Sequence, residues 1–124
     1  MTTTTPRERL PSRRPNQTRV IRWAGSDDQP TEFSVTVGYF LDGRPGEVFA
    51  NGPKVGSAMQ ALLEDSCVAV SLALQSGVKP EALAHAMGRT PISKIETRPA
   101  SIIGAIAEVL MQGPGEEKTE ATQR

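Results

Sequence analysis

The central part of the chain offers few groups that could do chemistry. The candidates are the one thiol, Cys67, the one imidazole, His85, and, among the carboxylates, Asp42, Glu47, Glu64, Asp65, Glu81 and Glu108. None of these falls into a spacing motif for nucleophilic, acid–base or metal chemistry. Cys67 lies within an apolar series, where a free cysteine behaves as a small hydrophobe, so packing is favoured over reactivity. His85 stands between Ala84 and Ala86, which favours a solvated or locally bonded ring over a catalytic or metal role. Glu64-Asp65 reads as a solvated helix face. One cysteine makes no intrachain disulfide, and one cysteine with one histidine falls short of a four-ligand zinc site.

Binding chemistry has three candidates. The stretch Asn51-Gly-Pro-Lys-Val-Gly-Ser57 precedes a helix start, whose free amides and positive dipole end attract phosphate. It lacks the spacing of a P-loop, so an ordinary strand-to-helix connection is favoured, with Lys54, Gly56 and Ser57 as the anion-site candidates. Asp42-Gly43-Arg44-Pro45-Gly46 is turn chemistry first, with Arg44 and Glu47 as candidate partner contacts. The third candidate is hidden by a balance of 14 basic and 14 acidic residues: residues 1–22 hold six arginines against one acid, Glu8, a net +5 offset by −5 over the rest. A basic arm therefore precedes an acidic body. The arm could attract phosphate or nucleic acid, dock on an acidic protein surface, or serve solubility alone. Arg13 and Arg14 are its candidate contacts.

The elements that would position these groups follow from periodicity. Pro6, Pro11 and Pro15 with polar intervening residues mark residues 1–17 as a flexible arm. Thr18 to Trp23 is β-branched and aromatic and predicts a first strand. Glu32 to Phe40 predicts a second, with Phe33, Val35, Val37 and Tyr39 on one face. A glycine- and proline-rich turn leads to a third strand over Glu47 to Asn51, with Phe49 expected in the core. Ser57 and Gln60 form an S-x-x-Q capping box at the head of a long helix. Met59, Leu62, Leu63, Cys67, Val70, Ala73 and Leu74 form its apolar series, and Gly77 its C-terminal cap. Pro80 opens a short helix with Leu83, Ala84 and Met87 on one face, ended by Gly88. Residues 89–98 read as a polar linker. Pro99 opens a third helix with Ile102, Ile103, Ile106, Val109 and Leu110 in one stripe, closed at Gly113-Pro114-Gly115, and residues 113–124 read as a disordered charged tail.

Three strands followed by three helices predict an α+β fold: a small antiparallel sheet with helices on one face, spanning residues 18–112. At 124 residues the chain holds one core. No apolar run approaches the roughly 20 residues of a membrane helix, and the start lacks the apolar stretch of a signal peptide, so a cytoplasmic location is expected.

The series Arg9-Leu-Pro-Ser-Arg-Arg14, Val37-Gly38-Tyr39, Asp42-Gly43, Gly46-Glu-Val-Phe49, Lys54-Val-Gly-Ser57, Ser71-Leu-Ala-Leu-Gln-Ser-Gly-Val78 and Ser101-Ile-Ile103 resembles the TSCPD-type domain. That domain is found toward the C-terminal end of adenosylcobalamin-dependent (class II) ribonucleotide reductases. The resemblance covers roughly residues 9–111. It implies an association with ribonucleoside-diphosphate reductase and deoxyribonucleotide synthesis, whose radical chemistry uses catalytic cysteines and a cobalamin site in a large upstream barrel. This sequence contains no barrel, no literal Thr-Ser-Cys-Pro-Asp string and no C-x-x-C pair, and Cys67 matches no catalytic position.

The resulting expectation is a stand-alone, non-catalytic TSCPD-type module acting through protein contacts. Its partner would be a reductase catalytic chain or a second copy, with no membrane involved. Two alternatives stay open: a nucleotide- or nucleic-acid-binding regulator using the basic arm, and a separately encoded subunit that completes a ribonucleotide reductase. No catalytic, metal or cofactor-binding residue is expected in this chain, adenosylcobalamin belonging to the full-length enzymes.

Overall fold

The structure, a computed structural model, describes residues 6–24, 30–52 and 56–114. Three strands, β1 (Asn16–Ala24), β2 (Pro30–Tyr39) and β3 (Pro45–Asn51), form an antiparallel sheet in the order β1-β2-β3. They are followed by α1 (Ala58–Gln75), α2 (Pro80–Ala86), a ribbon of β4 (Arg89–Pro91) and β5 (Thr97–Pro99), and α3 (Ile102–Leu110). The fold is the expected small α+β arrangement, enlarged by the ribbon.

Alternation on β2 sets the core. Phe33, Val35, Val37 and Tyr39 are all buried, and the register pairs Val35 with Ala50 and Val37 with Val48, so β3 adds those two side chains to the same face. Leu63, Cys67, Val70 and Leu74 of α1 and Ile102, Ile106 and Leu110 of α3 close over them in one cluster. Removing these side chains from water is the main favourable term in folding. β1 contributes Ile21 and Trp23 at the margin, and the Trp23 indole N–H donates to the Pro99 carbonyl at 3.0 Å.

Four expectations need correction. Phe49 is 54% exposed because it pairs with Thr36, one position out of step with Val48 and Ala50; in a strand one position exchanges the faces. Met59 and Leu62 are exposed rather than core, since α1 presents Gln60, Leu63, Cys67, Val70 and Leu74 inward. Residues 89–98 are not a linker, because β4 and β5 pair antiparallel. The Arg89 side chain locks that ribbon, donating to Thr97 Oγ1 at 2.6 Å and pairing with Glu108. Finally, Pro99 ends β5, and the N-cap of α3 is Ser101, whose hydroxyl accepts from the Gly104 amide at 3.1 Å.

The other helix boundaries follow the sequence. Ser57 caps α1 by accepting from the Gln60 amide, Gly77 follows it at φ +98°, and Pro80 occupies the first turn of α2. The Gln60 carboxamide oxygen accepts from the Gly52 amide at 3.0 Å, tying the helix start to the end of β3.

Candidate functional site

The residues before β1 lie against the turn and edge of the β2–β3 hairpin. The Glu8 amide donates to the Gln75 carbonyl at the end of α1, and the Tyr39 amide to the Pro15 carbonyl. Arg14 makes a two-pronged pair with Glu47, Nε to Oε2 at 2.6 Å and Nη2 to Oε1 at 3.1 Å, and donates to the Pro11 carbonyl at 2.6 Å. This hydrogen-bonded carboxylate raises the Arg14 pKa above its ordinary value. Arg44 donates to Asp42 at 2.8 Å and to both Glu8 oxygens at 3.1 Å, with its guanidinium 4.5 Å from the centre of the Phe40 ring. The hydrogen bonds from the Arg44 amide and side chain hold the Asp42 carboxyl below its usual range.

Two glycines make this clamp sterically feasible. A Cβ at Gly38 would overlap the Glu47 carboxylate, and one at Gly46 would lie 2.7 Å from Leu10 Cδ2 and 2.8 Å from Phe40 Cε2. Ser71 and Gln75 of α1 serve the same edge. The Ser71 hydroxyl accepts from the Val48 amide at 2.9 Å, and the Gln75 amide donates to the Gly46 carbonyl at 2.8 Å. An edge strand with unpaired backbone groups invites pairing with another chain, and here helix side chains occupy β3 instead.

Arg14 and Glu47 are thus brought together, whereas Arg44 is engaged separately by Asp42 and Glu8. Arg13 is exposed in the bend before β1. Gly56 is exposed at φ +84° and Ser57 is the helix cap; Lys54 lies outside the described residues. Cys67 is buried among core side chains, and burial pushes its thiol up to about 11, which keeps it protonated and unreactive at neutral pH. His85 stands exposed on the two-turn α2. Among the described residues no group of three or more His, Cys, Asp or Glu side chains could hold a metal ion, and no helix is long and apolar enough to cross a membrane.

The surface that sequence reasoning missed is the outside of α1. Ala58, Ala61, Leu62, Val68, Ala69 and Leu72 are exposed there, Leu62 by 64%, Val68 by 58% and Leu72 by 42%. Val68 and Leu72 also line a groove of about 450 Å³ between α1 and β3, with Phe49 opposite and Arg7 at its margin. Glu64 and Asp65 are the only charged residues of the 18-residue helix, and both are exposed. That composition was the available signal, because a helix apolar all round is one covered on more than one side.

This sheet, helix and clamped arm define a small α+β module. The TSCPD domain family matches residues 4–113, and the chain belongs to that family. It is 34% identical over 84 residues to a vitamin B12-dependent ribonucleotide reductase of Rhodopirellula baltica, covering 68% of this chain and 8% of that protein. A vitamin B12-dependent ribonucleotide reductase of Agrobacterium fabrum is 37% identical over 75 residues, 60% of this chain and 6% of the other. The chain thus spans less than a tenth of the curated relatives it matches. No solved structure matches it.

Several of the residues that carry the family resemblance meet in the clamp. Leu10 with Gly46, Glu47 with Arg14 and Gly38, Ser71 with Val48, and Gln75 with Gly46 are contacts within one framework. They hold the fold's shape together.

Proposed function

We propose that the chain is a non-catalytic accessory module that acts by docking on another protein, and that this protein is the catalytic chain of a ribonucleotide reductase. One observation supports the reading: the chain matches the TSCPD family over residues 4–113, and the relatives it resembles are vitamin B12-dependent ribonucleotide reductases, of which it spans less than a tenth. The exposed apolar face of α1 supports it by offering a surface that a protein partner could bury. The residues do not fit adenosylcobalamin, because His85 is exposed on a short helix and the groove beside β3, at about 450 Å³, is small for so large a cofactor. That cofactor is assigned to the catalytic chain. A nucleotide-binding role for the arm is the weaker reading, since Arg14 and Arg44 already hold Glu47, Asp42 and Glu8.

The test is reconstitution. A B12-dependent reductase catalytic chain lacking its own TSCPD segment should regain activity or stability when this chain is added, while this chain alone reduces no ribonucleotide. Turnover by this chain alone that is lost in Cys67→Ser, or the absence of any effect on the catalytic chain, contradicts the proposal.

A further inference from the structure

The outer face of α1 has a charge at its centre, and this narrows what covers it. At about 100° per residue, Asp65 falls midway around the exposed arc that runs from Val68 through Leu72 and Ala58 to Leu62. It is also midway along the stripe from Ala58 to Leu72. The helix carries no basic residue, so nothing on α1 itself neutralises Asp65. Among the described residues no ion pair or hydrogen bond engages its side chain.

Three occupants can be compared. The undescribed parts of this sequence, residues 1–5, 25–29, 53–55 and 115–124, contain Met1 and Val55 as their only large apolar side chains, too few to cover the stripe. A second copy would use a two-fold axis, which sets the centre of a patch against itself. Asp65 would then face its own symmetry mate in an apolar setting, an arrangement that like-charge repulsion and desolvation both oppose. A different protein with an apolar stripe and one lysine or arginine opposite Asp65 meets neither objection.

We infer that the Ala58–Leu72 face of α1 docks a helix-like apolar surface carrying a single central basic side chain, and that Asp65 is the residue that selects this partner and prevents self-association. The inference rests on the protein-contact reading above and adds the chemistry of the partner. A single polar group inside an apolar interface is a known means of fixing partner choice.

The full chain is tested in two ways, neither of which uses a reductase sequence, so their outcome is separate from that of the reconstitution. In sedimentation velocity the wild type should run as a monomer and Asp65→Leu as a dimer, with Asp65→Leu/Leu72→Glu monomeric again. In titrations with two synthetic helical peptides that share one leucine stripe and differ only in a central Lys or Glu, the Lys peptide should bind about tenfold tighter. Asp65→Lys should reverse that preference. Asp65 is exposed, so a cooperative melting transition no lower than that of the wild type serves as the folding control. A monomeric Asp65→Leu, a wild type that is itself dimeric through this face, or equal or absent binding of the two peptides overturns the inference.

Discussion

Gly38→Ala tests the clamp with one methyl group. Gly38 is buried in β2 with extended backbone, so the substitution carries no dihedral strain. Its Cβ, however, would overlap the Glu47 carboxylate and lie 2.8 Å from Cγ and 2.9 Å from Cδ. Glu47 must swing away, and the two-pronged pair with Arg14 goes with it. The pair lies between the surface and buried regimes, with side-chain exposures of 29% for Arg14 and 13% for Glu47. Its loss should therefore cost about 2 kcal/mol. Alanine in a strand recovers about 0.5–1 kcal/mol relative to glycine. A net loss of about 1–1.5 kcal/mol corresponds to a fall of roughly 4–12 °C in melting temperature for a domain of this size. Calorimetry of Gly38→Ala, Glu47→Ala and the double variant forms a cycle. Once Glu47 is truncated, Gly38→Ala should become neutral or stabilising. An equal loss in both backgrounds would refute the steric argument.

Other outcomes follow from the same contacts. Ser71→Ala strips the buried Val48 amide of its hydroxyl acceptor and should lower stability by about 1–2 kcal/mol in urea unfolding despite the better helix propensity of alanine. Ile106→Ala should cost about 2–5 kcal/mol because Ile106 is fully buried, whereas Phe49→Ala should cost less than about 1 kcal/mol; the reverse order would mean that the register of β3 is shifted. The Cys67 thiol, pushed from 9.0 to about 11 by burial, holds its proton to higher pH in the folded chain than in the unfolded one. Stability should thus be intact below about pH 9 and decline by roughly 2–3 kcal/mol as pH rises to 11. Cys67→Ala should flatten that decline, leaving the smaller contribution of Tyr39, whose pKa burial raises in the same sense.

The sequence made the sheet-then-helix order legible because β2 alternates strictly and the helix starts carry Ser57 and Pro80. Individual side chains were less legible where two signals conflicted. Phe49 is the largest apolar residue of β3, yet its parity with Val48 and Ala50 puts it outside. On α1 twelve of the 18 positions are apolar and they lie on more than one face, so periodicity alone could not say that Leu63 is core while Leu62 is surface. The β4–β5 ribbon hid in a polar stretch because Arg89, Thr97 and Glu108 hold it by side-chain bonds. Arg14, Arg44 and Glu47 were found from residue type and motif, but the pairing of Arg14 with Glu47 and of Arg44 with Glu8 depends on the arm returning to the hairpin, a contact 33 residues apart for the first pair and 36 for the second.

Hydrogen exchange on the intact chain, with and without the reductase catalytic chain, tests the docking account most directly. The account predicts slowed exchange in the amides of α1 between Ala61 and Leu72 and in neighbouring Phe49 of β3, with β1 and the β4–β5 ribbon unchanged. Protection confined to the arm around Arg7–Arg14, or none anywhere in α1 despite binding, would contradict it.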